Sequence, residues 1–197
     1  MIQGNMKNYG KDYKKSGEKY EYVGCWYESS LSQAEYKKKA YCYGSMLTLS
    51  CILLLMGLSM NHAGNRIFWI LIPYTMTGLP LLYGWAGCAA LFQLGRKNPS
   101  SADPSMKEIP KEHREHLRRS EYEQAVRRPL RCSVAVTILS AVTLLADLIL
   151  VGGKLGEVQT ATEILYAGDV LLICLFGIGM TVQCRKVCGS VKLLNSK

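Results

Sequence analysis

The chain has 197 residues, 49% of them hydrophobic, and carries a formal net charge of +9 at pH 7. Length and composition alone would allow one or two soluble domains. The distribution of charge argues against them, because Ala40 to Asn65 and Ile67 to Gly95 contain no Lys, Arg, Asp or Glu. A soluble helix keeps a polar face in water, so uncharged runs of this length indicate helices surrounded by lipid.

The N-terminal segment, residues 1–39, is polar and rich in tyrosine. The stretch from Lys19 to Tyr27 alternates roughly and breaks at Gly24, which fits a short strand pair or an irregular arm lying on lipid headgroups. Ser32 and Glu35 form a capping-box pattern, which predicts a helix that begins there and continues into the first apolar stretch. About 40 polar residues come before that stretch, so we expect no cleavable signal peptide.

Four stretches are long and apolar enough to cross about 30 Å of hydrocarbon as helices. These predicted spans are residues 42–60, 67–94, 133–151 and 164–183. The second contains Pro73, Gly78 and Pro80, which predicts a kinked or strongly tilted helix. The expected fold is an all-α polytopic membrane protein with four transmembrane helices in two antiparallel hairpins, residues 40–95 and 132–184.

The orientation of these spans follows from the positions of Lys and Arg, which are retained on the cytoplasmic side of a membrane. Residues 1–39, the connection 95–131 and the C-terminal tail together hold 22 of them, whereas the other two connections hold only Arg66 and Lys154. The count predicts that both termini and the central loop are cytoplasmic, and a plasma-membrane location is expected. The positive charge then faces anionic lipid, and no nucleic-acid partner is expected.

The central cytoplasmic loop, residues 96–131, begins with a linker rich in Pro, Ser and Asn. Residues 111–128 are predicted to form a mostly polar helix with many pairs four residues apart. The tail, residues 185–197, is the last cytoplasmic segment.

Two carboxyl groups inside the predicted spans, Asp147 and Asp169, are the most informative residues for function. A charged Asp near the bilayer centre costs about 2.5–3.5 kcal/mol, so each needs a physical reason to be there. Thr137 and Ser140 fall near the helix face of Asp147, and together the four residues form a candidate intramembrane polar site. One interpretation is a proton or cation site. The other is structural: Asp147 pairs with Lys154 or Arg66, and Asp169 bonds a hydroxyl across helices.

No catalytic, cofactor or metal site is predicted. The eight cysteines lie in spans or on the cytoplasmic side, which disfavours an oxidoreductase that acts toward an oxidising compartment. Cys184 and Cys188 could support S-acylation or a reactive thiol, but small apolar packing residues are the simpler interpretation. Glu112 and His116 have the spacing of two metal ligands, without a third ligand in view.

The basic flanks are predicted to contact lipid headgroups. The candidate residues are Lys37, Lys38, Lys39, Arg127, Arg128, Arg131, Arg185 and Lys186. The favoured hypothesis is a non-enzymatic accessory or scaffold protein whose partners are the lipid bilayer and, as open alternatives, a membrane or cytoplasmic protein or a second copy of the chain. The alternative is a small proton- or cation-linked transporter, or a subunit of one, that uses Asp147 and Asp169.

Overall fold

A computed structural model describes residues 12–16, 19–60, 67–94, 116–153 and 160–194. This part of the chain is mostly helical, with several short strands at one end. The helices are α1 (Gln33–Ser59), α2 (Phe68–Met76), α3 (Gly78–Leu94), α4 (Arg119–Tyr122), a π-helical turn (Glu123–Arg127), α5 (Arg128–Gly153) and α6 (Thr160–Gly189). The strands are β1 (Tyr13–Ser16), β2 (Lys19–Tyr22), β3 (Trp26–Ser29), β4 (Leu117–Arg118) and β5 (Val191–Leu194).

Helix α1 begins where the capping pattern predicts. The Ser32 hydroxyl accepts a hydrogen bond from the Glu35 backbone N–H at 3.3 Å, and the Glu35 carboxylate accepts one from the Ser32 N–H at 2.8 Å. These two bonds satisfy N–H groups that the start of a helix leaves without intrahelical partners. The helix then continues for 27 residues without a break, which is about 40 Å of rise.

The second predicted span is divided at Thr77 into α2, of nine residues, and α3, of 17 residues. Pro73 and Pro80 remove two backbone donors in this region, and the Thr77 N–H and hydroxyl both bond the Pro73 carbonyl, at 3.2 and 2.9 Å. The break falls at a residue between the two prolines, in the stretch for which a kinked or strongly tilted helix is predicted. Three helical stretches are long and apolar enough to span a membrane: Gln33–Ser59, Arg119–Gly152 and Ala161–Gly189.

The helices pack as a bundle with a regular buried face. In α6 the buried positions recur at alternating steps of three and four residues, and α1 and α5 follow the same pattern. A repeat of 3.5 residues is the signature of left-handed bundle packing. The spacing also continues across Thr77, from Ile70 and Tyr74 to Leu81, so α2 and α3 pack as one rod despite the break. Each rod touches two neighbours: α1 lies against α3 and α6, and α5 lies against α6 and the α2–α3 rod.

The surface of the bundle is apolar and its interior is partly polar. Outward-facing residues include Phe68 at 76% exposure, Ile149 at 75% and Trp69 at 70%. The buried polar side chains on the helices are Ser50, Thr77, Ser133, Ser140, Thr143, Asp147, Glu163 and Asp169. Soluble proteins bury large apolar side chains and rarely leave broad apolar patches exposed. The reversed distribution is the one expected for helices in contact with lipid.

A three-stranded antiparallel sheet closes one end of the bundle. Strand β3 is central and pairs with β4 on one edge and with β5 on the other. Under the sheet, Tyr27 stacks on Tyr122 with ring centroids 4.4 Å apart. The sheet joins three segments that are distant in sequence, so the N-terminal segment, the central connection and the C-terminal segment meet at the same end, here called the sheet end.

The sheet corrects two predictions. The fold is not purely α-helical, and the helix predicted over residues 111–128 begins at Arg119, because Leu117 and Arg118 pair with β3 instead. Residues 111–115 lie outside the described part of the chain. The helix continues through the π-helical turn into α5 without a loop, so the polar helix and the third predicted span are one element.

Strands β1 and β2 form a hairpin, which differs from the strand pair predicted within residues 19–27. Gly24 does separate two strands, β2 and β3, but β3 pairs with β4 and β5 and not with β2. The Tyr22 hydroxyl accepts a hydrogen bond from the Arg119 N–H at 2.9 Å and donates one to the Cys25 carbonyl at 2.8 Å. Burial raises the pKa of Tyr22 to about 12. The phenol therefore stays neutral at physiological pH and keeps its proton for the bond to the Cys25 carbonyl, while its oxygen holds the hairpin to the start of α4 by accepting from the Arg119 N–H.

The α5–α6 contact gives a stability test. A Cβ atom added at Gly177 would lie 2.7 Å from Thr137 Oγ1 and 3.2 Å from Thr137 Cα, whereas one added at Gly168 meets nothing within 4 Å. We expect Gly177→Ala to lower the unfolding free energy by about 1–3 kcal/mol through overpacking. Gly168→Ala, in the same helix, should be neutral or stabilising by up to about 1 kcal/mol. Thermal unfolding in detergent measures both, and equal effects would contradict the packing.

Candidate polar site inside the helix bundle

Asp147 and Asp169 lie in the half of the bundle away from the sheet end, and both are buried. Asp147 is near the end of α5 and is 0% exposed, and Asp169 is in the first third of α6 and is 5% exposed. With a rise of about 1.5 Å per residue, they lie roughly 9 Å and 14 Å from the nearby ends of their helices. The structure therefore brings both carboxyl groups into the interior at similar depths.

Asp169 is held by a tyrosine on the broken rod. The Tyr74 hydroxyl donates a hydrogen bond to Asp169 Oδ2 at 2.8 Å and lies 3.3 Å from the Leu54 carbonyl oxygen of α1. A Cβ atom on Gly57 would collide with the Tyr74 hydroxyl and would lie 2.7 Å from Asp169 Oδ2. Glycine at position 57 thus lets α1 approach the hydrogen-bonded pair closely. The other carboxyl oxygen of Asp169, Oδ1, is buried without a hydrogen-bond partner among the described residues.

Two further residues on α6 belong to the same region. Tyr166 is completely buried, and its ring lies 5.2 Å from the Tyr74 ring, centroid to centroid. Glu163 is 3% exposed, and Asp147, Asp169 and Glu163 all act electrostatically on the Tyr166 phenol. We call these five residues, the three carboxylic acids with Tyr74 and Tyr166, the acidic cluster.

Thr137 and Ser140 are not joined to the carboxyl groups by hydrogen bonds. The Ser140 hydroxyl donates to the Val136 carbonyl at 2.7 Å, and the Thr137 hydroxyl donates to the Ser133 carbonyl at 2.9 Å. Both bonds remain within α5, as is usual for hydroxyl side chains in apolar helices. Thr137 is half-buried and packs against Gly177. The buried hydroxyl one turn from Asp147 is Thr143, which the sequence analysis did not single out.

Sequence reasoning also missed Tyr166 and Glu163. It expected Asp169 to bond a hydroxyl across helices without identifying Tyr74 as the residue that supplies it. The fourth predicted span begins at residue 164, just after Glu163, because a hydropathy criterion excludes a charged residue at the edge of an apolar run. In the structure, Glu163 and Tyr166 share the buried face of Val170 and Ile173, which hydropathy does not distinguish from the equally apolar exposed face. Arg66 and Lys154, the predicted partners of Asp147, lie outside the described residues. So does Glu112, which has the spacing of a metal ligand relative to His116.

The predicted headgroup residues lie at the opposite end of the bundle, around the sheet end. Seven of the eight are exposed, and Lys39 is half-buried. Arg127 differs from the rest because its guanidinium donates to Glu123 at 2.8 Å and lies 5.8 Å from the centroid of the Tyr122 ring. The bundle is therefore polarised, with acidic groups inside one end and basic groups outside the other.

Two of the cysteines, Cys174 and Cys184, are buried, and Cys25 is exposed. All eight are described and none forms a disulfide. Cys184 is buried with its sulfur 3.9 Å from the Ser133 hydroxyl, and the Cys188 sulfur lies 3.5 Å from the Tyr122 hydroxyl. Within the described ranges, no group of three or more His, Cys, Asp and Glu side chains is placed to hold a metal ion.

Comparisons with protein-family models, with curated proteins and with solved structures give no match.

The Tyr74–Asp169 hydrogen bond can be tested by removing one hydroxyl. We expect Tyr74→Phe to lower the unfolding free energy by about 1–3 kcal/mol, because a buried carboxyl group loses its donor. Tyr41→Phe is the matched control on α1, since Tyr41 is 66% exposed. Thermal unfolding in detergent is the measurement, and a Tyr74→Phe protein as stable as the control variant would show that the bond contributes nothing.

Proposed function

We propose that this chain is a four-span protein of the plasma membrane, with both termini and the central connection in the cytoplasm. In this proposal it acts as a non-enzymatic accessory or scaffold protein that contacts lipid or a protein partner through its basic cytoplasmic side. The pairing of β3 with β4 and β5 carries the proposal. It holds three segments at one end of the bundle, so the chain must leave that end and return to it twice.

A three-span arrangement conflicts with this sheet. If only the three long helices crossed the bilayer, the N-terminal and C-terminal segments would be on opposite sides, and β3 could not pair with β5. The α2–α3 rod supplies the missing crossing. Its two helices together cover 26 residues, more than the roughly 20 needed, and its buried face continues through the break.

The charge distribution supports the assignment of sides. Residues at the sheet end hold the basic flanks, whereas the two connections at the other end hold one basic residue each, Arg66 and Lys154. Basic flanks are retained on the cytoplasmic side and attract anionic lipid. The exposed side chains of Lys37, Lys38, Arg185 and Lys186 surround the sheet end, where a headgroup or an acidic protein surface would meet them.

The topology is tested with protease-cleavable tags in intact cells. Tags at either terminus and after Pro104 should be protected from external protease, while a tag inserted after Gly156 should be cleaved. Inside-out vesicles provide the control, in which the pattern should reverse. Cleavage of either terminal tag in intact cells would overturn the proposed arrangement.

A second candidate function, a proton- or cation-linked transporter or a subunit of one, is favoured by the acidic cluster. Ionisable groups inside a membrane protein often mark a path for protons or ions. Asp169 is the best-placed residue for such a role, since one carboxyl oxygen bonds Tyr74 and the other is buried without a partner among the described residues.

The two functions differ in their response to Asp169→Asn and Asp147→Asn. If the chain conducts protons, the proton flux into proteoliposomes with a pH gradient should be roughly tenfold or more lower for these variants than for the wild type, since proton transfer needs a titrating carboxyl group. Glu28→Gln, at an exposed position in β3, should leave flux unchanged. Flux equal to that of empty liposomes for the wild type, with co-purification of a partner from native membranes, would instead favour the accessory function.

A further inference from the structure

A groove of about 300 Å³ opens on the side of the bundle near the sheet end. It lies between α3 and the start of α5, beside the π-helical turn. Its lining residues are Tyr83, Glu123, Gln124, Arg128, Arg131 and Cys132. Tyr83 is 65% exposed, so the groove faces outward from the bundle, toward the lipid in the proposed topology.

The local backbone explains why a groove forms here. Pro129 packs directly against Gly87, where an added Cβ would lie only 2.6 Å from the proline Cγ. This contact brings α3 and α5 close together next to the residues that line the groove. The π-helical turn immediately before it widens one turn of helix and sets Glu123 and Gln124 at the rim. Segments of this kind occur often at functional sites.

The charges that line the groove are not balanced. Glu123 is already paired with Arg127, which points its guanidinium to that carboxylate at 2.8 Å. Arg128 and Arg131 are exposed and form no ion pair with any residue in the described ranges. They are three residues apart on one helix, so their side chains start from neighbouring positions on the same face. Two guanidinium groups are thus free to bind the same anion.

We infer that this groove binds the phosphate group of an anionic phospholipid, with Arg128 and Arg131 as the two cationic ligands. The N–H donors of a planar guanidinium group match the spacing of phosphate oxygens, and each of the two arginines offers more than one such donor. The Tyr83 ring lies beside the position of the glycerol and upper acyl chains, which suits an aromatic side chain at a membrane interface. The inference rests on the proposed topology, which puts this boundary in the cytoplasmic leaflet. A soluble phosphate compound offers the same chemistry, so the test separates the two sources.

The experiment uses the full chain purified in detergent, titrated with dioleoylphosphatidylglycerol and, separately, with dioleoylphosphatidylcholine, with binding followed by native mass spectrometry. We expect Arg128→Gln/Arg131→Gln to weaken phosphatidylglycerol binding roughly 100-fold, about tenfold for each lost charged donor. The matched control is Lys14→Gln/Lys15→Gln, which removes two exposed positive charges from strand β1 and leaves the groove intact. It should change the affinity by less than about threefold.

A second pair of substitutions separates geometry from charge. Arg128→Lys/Arg131→Lys keeps both charges but loses the planar donors, so its affinity should fall between those of the wild type and the Gln variant. All four side chains are exposed, and unchanged thermal stability of each variant shows that the fold is kept. Equal losses in the two Gln variants, or no loss in either, would overturn the groove as a site.

Competition identifies the source of the phosphate. We expect inorganic phosphate and glycerol 3-phosphate, each in large excess, to leave the lipid bound, because neither supplies acyl chains. Displacement by either would overturn the lipid and assign the groove to a soluble phosphate. The proposed topology has its own readout: wild-type protein released from membranes by an alkaline wash would refute it, whatever the groove variants do.

Discussion

Backbone pairing by β3 on both of its edges is the constraint that organises the rest of the molecule. Each helix could cross a membrane in either direction on hydropathy alone. The hydrogen bonds from β3 to β4 and to β5 bring residues 26–29, 117–118 and 191–194 together, so the helices between them must form closed hairpins. A hydrophobic layer of Tyr36, Leu91, Leu117, Val126 and Val187 lies in the same region and attaches the sheet to all four rods. The positions of the groove and of the acidic cluster both follow from this closure.

The interior of the bundle is where polar groups are accommodated. In lipid there is no water to satisfy a hydroxyl or a carboxyl group, so those groups turn inward and bond the protein. Ser140 and Thr143 do so within their own helix, through the carbonyls of Val136 and Leu139. Asp169 cannot bond its own helix as a donor when ionised, and it takes its hydrogen bond from Tyr74 on another rod. The same bond therefore serves packing, because it fixes the register of α2 against α6.

The sequence predicted the features that depend on neighbouring residues. The start of α1 follows from Ser32 and Glu35, and the long apolar helices follow from uncharged runs. It could not predict β4, because a two-residue strand has little propensity of its own and depends on a partner about 90 residues away. The contact between Tyr74 and Asp169 is equally non-local, since it depends on how two helices are aligned. Glu163 could not be predicted as an interior residue either, because its exposed neighbours Ile164 and Leu165 are as apolar as the buried face and hydropathy does not separate the two.

Two independent physical effects bring the basic flanks to the same end of the bundle. Lipid electrostatics acts on the basic flanks and favours their retention on the cytoplasmic side. Backbone hydrogen bonding in the β3 sheet acts without regard to charge and requires those same flanks to lie at one end. Because the two effects agree, Arg128 and Arg131, which form no ion pair among the described residues, lie at that end, where the π-helical turn meets α5. In the proposed topology this is the depth of the phosphate groups of the adjacent leaflet, which is the depth that the proposed headgroup site requires.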